Sequence, residues 1–176
     1  MKYKLYIFVP YNISDIQKGI QSGHVALEYA FAHGHKEDYQ SFIINDKTWV
    51  VLNGGTTRGE TFSKDYFEGL GSLNEISKSL QESGVDFATF YEPDLNFALT
   101  GVCFLANEKV WDFENYPDFK DTLLGIKTYE LMFGKFGFTE DNLINKYPSQ
   151  YLEWVRGLGG LNNAFLRDLI RGKKLA

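Results

Sequence analysis

The sequence holds a single cysteine, Cys103, so no internal disulfide can form and a reducing, cytoplasmic setting is expected. It lacks any apolar run near the roughly 20 residues that a membrane-spanning helix needs. The opening stretch MKYKLYIFVPYN is too short in apolar residues for a secretory leader and has no small-residue cleavage site. No repeat or low-complexity tract occurs. Positive charge is scarce too: 18 Lys and Arg against 23 Asp and Glu give −5, which weighs against a surface that attracts nucleic acid as a whole. The deficit is uneven, however. From Glu153 onwards five basic residues outnumber two acidic ones, leaving +3 there and −8 over the rest, so a local basic face for RNA stays open.

What is present is globular material. Hydrophobic residues make up 44% and aromatic residues 16% of 176, enough for one domain with a firm core and an appendage. KLYIFVP alternates aromatic and aliphatic residues up to Pro10 and predicts a buried first strand. Ser14 and Gln17 form a capping box for the helix that follows, Ile16, Ile20, Leu27 and Phe31 give that helix a stripe expected to be buried, and Gly34 is expected to stop it in a left-handed conformation. Gly19 and Gly23 cost this helix about 1 kcal/mol each relative to alanine, which predicts a sheet or ligand pressed close to its backbone.

A short helix in KEDYQSFIIND, a strand in TWVVLNG, a helix in LNEISKSLQESG closed by Gly84, and strands in VDFATFYEPD and ALTGVCFLAN follow in turn. The last two, joined by so few residues, are expected to pair antiparallel. The order predicts an α/β fold: a mixed four-stranded sheet flanked by helices over residues 1–112, with a helical C-terminal extension over 113–176. In the last helix Phe165, Leu166, Leu169 and Ile170 share one side, while Arg167, Arg171 and Lys174 form a stripe read either as RNA-phosphate contacts or as a solvated face.

Chemistry-bearing residues are few. His24 lies among small residues, either as a satisfied packing histidine or as a base whose tautomer is set by Glu92. Glu92-Pro93-Asp94 puts two carboxylates at a strand end, where α/β sheets bind ligands, and Pro93 stiffens the turn; Asp94 and Asn96 also suit a plain capped turn. NGGTTRGET offers backbone amides and Arg58 to an anion but lacks the spacing of a Walker loop, and a plain loop explains it as well. His33, His35, Glu37 and Asp38 are too isolated to make a convincing metal cluster, and Cys103 sits in a strand where a nucleophile is out of place.

Over residues 3 to about 106 this arrangement resembles the type 2 peptidyl-tRNA hydrolase family. The family's first strand leads into a helix with a glycine-lysine pair and then Gln-x-x-His-Ala, beside Gln21-Ser22-Gly23-His24-Val25-Ala26 here. Its third strand, Asp-Ala-Gly-Arg-Thr turn and short return strand correspond to FYEPDLNFALTGVCF, Phe90 to Phe104: the aspartate position falls on Glu92, the arginine on Leu95 and the threonine on Asn96. The lysine position falls on Gln17, with Lys18 one place along. The resemblance implies hydrolysis of a peptidyl- or aminoacyl-tRNA ester without metal or organic cofactor. In that reading Glu92 and His24 orient or activate water and Lys18 and Asn96 stabilise the oxyanion. Gln17, Gln21, Asp94 and Arg58 contact substrate, and Arg167, Arg171 and Lys174 help to hold the RNA. The competing reading is a non-catalytic module of the same fold holding RNA, a nucleotide or a protein, the last through Leu152, Trp154 and Val155 of the C-terminal helices. No membrane partner is expected, and oligomeric state is left open, a homodimer included.

Overall fold

The computed structural model describes residues 1–57, 71–122 and 144–176. Strands β1 (Tyr3–Pro10), β2 (Thr48–Gly55), β3 (Phe87–Glu92) and β4 (Ala98–Asn107) form one mixed sheet in the order β2-β1-β4-β3. β1 runs parallel to β2 and antiparallel to β4, and β3 pairs antiparallel with β4 as the short connection predicts. Pro10 is level with Gly55, and Glu92 with Ala98, so the chain leaves β1, β2 and β3 and enters β4 at one end of the sheet.

Helices α1 (Asp15–His33) and α2 (Glu37–Asn45) lie on one face, where Val25, Ala26, Tyr29 and Phe42 pack against Leu5, Ile7, Val9, Cys103 and Leu105. Helix α3 (Ser72–Ser83) covers the other face with Leu73, Ile76 and Leu80. It comes so close to β2 that a Cβ on Gly54 would stand 2.6 Å from Leu73 Cδ1. α1 begins with the expected capping box: the Gln17 amide donates to Ser14 Oγ at 3.3 Å and the Ser14 amide to Gln17 Oε1 at 3.1 Å.

Three expectations about α1 need correction. Ile16, Ile20, Leu27 and Phe31 are exposed, and the buried face is Gln21, Ser22, Val25, Ala26 and Tyr29. The apolar period was read correctly but assigned to the wrong side, because Gln21 and Ser22 are polar residues whose groups are satisfied within the fold. Among the described residues nothing lies within 4 Å of where a Cβ on Gly19 or Gly23 would stand; the close approach is at Gly101 of β4, whose Cβ would lie 2.8 Å from Val25 Cβ. Gly34 follows the helix at φ −59°, in the right-handed region, whereas Gly84 closes α3 at φ +70° as expected.

The chain divides into two compact units, Met1–Glu108 with Leu169–Ala176, and Lys109–Asp168. In the first, the Asn53 amide donates to the Lys174 carbonyl and the Ala176 amide to the Val51 carbonyl, with Leu52 and Leu175 bridged antiparallel, so the tail lines the outer edge of β2. The second contains helices α4 (Glu108–Trp111, begun in the first unit), α5 (Phe119–Thr122), α6 (Pro148–Leu158) and most of α7 (Leu161–Ile170). There Phe119 packs with Tyr147, Tyr151 and Trp154, and Val155, Leu158 and Ala164 form a small core.

Arg167 does not belong to a surface stripe. It is fully buried: its Nε donates to Asp118 Oδ1 at 2.7 Å, its other nitrogens donate to the carbonyls of Lys109, Val110 and Tyr116, and the guanidinium stacks over Phe113 at 4.0 Å. Lys174 lies beyond α7, with its backbone committed to β2, and Arg171 is half-buried just past the helix end. The expected helical stripe of three basic residues therefore does not exist.

Candidate functional site

The sheet end where β1, β2, β3 and β4 meet also receives the N-terminal half of α1. Gln21 faces inward from the second turn of α1 and is buried, so its carboxamide needs partners on both sides. It finds them on two strands: Thr100 Oγ1 of β4 donates to Gln21 Oε1 at 2.7 Å, and Gln21 Nε2 donates to Glu92 Oε2 at 2.6 Å. The hydroxyl and the carboxylate together fix which way the amide is turned, since only a carbonyl oxygen accepts and only the NH2 donates. Gly101, next to Thr100, allows α1 to sit close enough for this chain of bonds; a Cβ there would also press on the Gln21 carbonyl at 3.3 Å.

Glu92 is half-buried, and among the described residues Gln21 is its hydrogen-bond partner. His24 is not paired with it. The imidazole packs tilted against Phe90 of β3 with ring centroids 4.5 Å apart, and its buried Nδ1 has no hydrogen-bond partner among the described residues. Lys18 is three places before Gln21 and so its neighbour on the helix surface. Its ammonium is engaged by Asp15 Oδ1 at 3.0 Å. Gln17, at the position of the family's lysine, spends its side chain on the capping box. Pro93–Leu95 form a single 3-10 turn after Glu92; Asp94 and Asn96 are exposed on it, and Asn96 takes a left-handed conformation at φ 52°. Arg58 lies outside the described residues.

A groove of about 270 Å³ opens beside Lys18, walled by Asp15, Gly19 and Ser22 of α1, by Trp49 and Val51 of β2, and by Ala176. Sequence reasoning missed two residues here. Thr100 is a hydroxyl inside an otherwise apolar strand, ALTGVC, and that mismatch was the available signal. Trp49 is half exposed at a strand start, which no local pattern reveals.

Elsewhere the candidates fall to ordinary packing. His33 packs tilted against Tyr29 with ring centroids 4.7 Å apart and Nε2 3.1 Å from the Phe87 carbonyl, and among the described residues no three His, Cys, Asp or Glu side chains gather as a metal set. Burial pushes the Cys103 thiol far above its ordinary range, and its Sγ donates to the Val25 carbonyl at 3.3 Å. Among the described residues no helix is long and apolar enough to cross a membrane.

The site thus joins Thr100, Gln21 and Glu92 directly, sets His24 on an aromatic neighbour, and leaves Lys18, one turn before Gln21, in the groove with Trp49 and Val51 of β2. No family model matches the chain, and no curated protein matches it.

Proposed function

We propose that the chain is a hydrolase of type 2 peptidyl-tRNA hydrolase-like fold acting on a peptidyl- or aminoacyl-tRNA ester at the sheet end around Glu92. The observation that carries this reading is the directed chain Thr100–Gln21–Glu92, which anchors one carboxylate oxygen and leaves the other for a water. Glu92 takes a proton from that water as its oxygen attacks the ester carbonyl. The tetrahedral intermediate expels the ribose oxygen, which recovers the proton from Glu92. Lys18 reaches the oxyanion once it leaves Asp15, a small demand because Asp15 is almost wholly exposed and such ion pairs are weak. Trp49, in the groove beside Lys18, supplies a ring face for the terminal base or an aromatic aminoacyl group. RNA anchoring through Arg167 is excluded by its burial, so any phosphate contacts must come from other cations.

The test is hydrolysis of an N-blocked aminoacyl-tRNA by the purified chain and by Glu92→Gln and His24→Ala, each checked for native circular dichroism. Glu92→Gln is expected to lower turnover by about 10²–10⁴-fold. A smaller change is expected for His24→Ala, whose ring touches Phe90 and not Glu92. The second reading, a non-catalytic binding module, draws on Lys18 being occupied by Asp15 and on Arg167 being structural. Absence of wild-type turnover at high enzyme concentration would favour it, and absence of tRNA binding at low salt as well would remove the tRNA reading.

A further inference from the structure

The described residues leave the outward side of α1 bare. On a helix turning 100° per residue, Ile16, Ile20, Leu27 and Phe31 fall within one narrow arc directly opposite the buried face. They are exposed by 78%, 49%, 70% and 91%. That is roughly 600 Å² of apolar surface per chain, at the upper end for the largest patch of an ordinary monomer and most of the roughly 800 Å² that each partner gives to a standard interface. Gly23 lies midway along the stripe and about 20° outside its edge, with open space where a side chain would be, so packing among the described residues gives no reason for a glycine there.

We propose that this face is a self-association surface at which two copies of the chain pack α1 against α1 in antiparallel orientation. The spacing is self-complementary. A twofold axis between Gly23 and His24 sets Ile16 opposite Phe31 of the second copy and Ile20 opposite its Leu27, with Gly23 at the crossing, where two helix backbones come closest. A twofold interface must complement itself, and this register does so at every large residue of the stripe. Charge agrees. Glu28, the acid nearest the stripe, then stands level with Gly19 of the other chain, whereas a parallel pair would set it level with its own copy and align the helix dipoles unfavourably. The buried residues Gln21, Ser22 and Val25 stay with the sheet, so association requires no rearrangement of the α/β unit.

Sedimentation velocity on the full chain is the first test. The 20.2 kDa chain is expected to sediment as a dimer at micromolar concentration. Leu27→Glu or Phe31→Glu is expected to raise the dissociation constant by roughly a hundredfold with the circular dichroism unchanged, because a carboxylate would be buried unpaired against an isoleucine of the other copy. Register is tested by cysteine pairs, since native Cys103 is buried and stays silent. An Ile16→Cys chain mixed with a Phe31→Cys chain is expected to cross-link on mild oxidation. Neither alone should do so, because identical positions would lie about 22 Å apart along the helix axis. A wild-type chain that stays monomeric into the hundreds of micromolar overturns the proposal. So does a dimer without the mixed cross-link, and so does a monomer whose melting temperature falls in Leu27→Glu, which would mean that the same chain covers the stripe. None of these outcomes depends on whether Glu92 is catalytic.

Discussion

Tyr6, Tyr29 and Cys103 are weak acids buried in or against the central sheet, and burial raises all three pKa values because it penalises the anion. Tyr6 is pushed from 10.0 to about 12. A folded-state pKa above the unfolded one means that the stability is fully present below the unfolded value and is lost as pH rises. For Tyr6 the window runs from pH 10 to about 12 and corresponds to about 2–3 kcal/mol. Urea unfolding across this range should show a steady loss of stability, less steep in Tyr6→Phe. Glycine substitutions give a sharper contrast. Gly19→Ala should stabilise by about 1 kcal/mol, since nothing opposes its Cβ. Gly101→Ala should cost about 1–3 kcal/mol and separate Gln21 from Glu92, since Val25 is in the way. Thermal melts of both variants read this directly. Residue identity alone was least informative for Gln21 and Arg167. Each is a polar side chain buried because distant partners satisfy it, Thr100 and Glu92 in one case and Asp118 with three carbonyls in the other. Local sequence carries no trace of partners 49 to 79 residues away.

At the scale of elements the sequence was more generous. β4 spans the stretch ALTGVCFLAN and α3 ends at Gly84, because caps and the alternation of a buried strand are local signals. The face of α1 was not local. Its apolar period is genuine, but which side meets the sheet depends on Gly101 making room for Val25 and Gln21. Ser14→Ala should lower stability by about 1 kcal/mol, since it removes the hydroxyl that accepts the Gln17 amide; a denaturant melt compares it with wild type. In the second unit, Asp118→Ala should cost about 3–5 kcal/mol, because it strands a buried guanidinium without its carboxylate. The combination Asp118→Ala with Arg167→Met should recover part of that loss. A double variant as unstable as Asp118→Ala alone would contradict this account of the pair.

For the whole molecule, the order of strand and helix segments foretold an α/β unit followed by helices, and the mixed sheet with its C-terminal helices bears that out. They did not foretell that the chain returns. Leu169–Ala176 rejoin the first unit after the excursion through Lys109–Asp168, and Lys174–Ala176 pair with the edge of β2. An edge strand reading TWVVLN presents unpaired amides and apolar side chains, a template for another chain. Deleting residues 174–176 should therefore increase light scattering on warming and speed hydrogen exchange at the Asn53 amide, which loses its acceptor. Unaltered exchange there would show that the tail contributes nothing to the edge.

The order of synthesis gives that last pairing a temporal meaning. A ribosome makes β1, β2, β3 and β4 long before it reaches Lys174, so a nascent sheet can assemble with β2 still bare on its outer side while residues 109–168 are being translated. For that interval the growing polypeptide offers an adhesive strand to its neighbours on the same messenger RNA, and only the arrival of the tail seals it. The speed of elongation through the intervening segment therefore bears on the yield of folded protein, quite apart from the stability it reaches in the end.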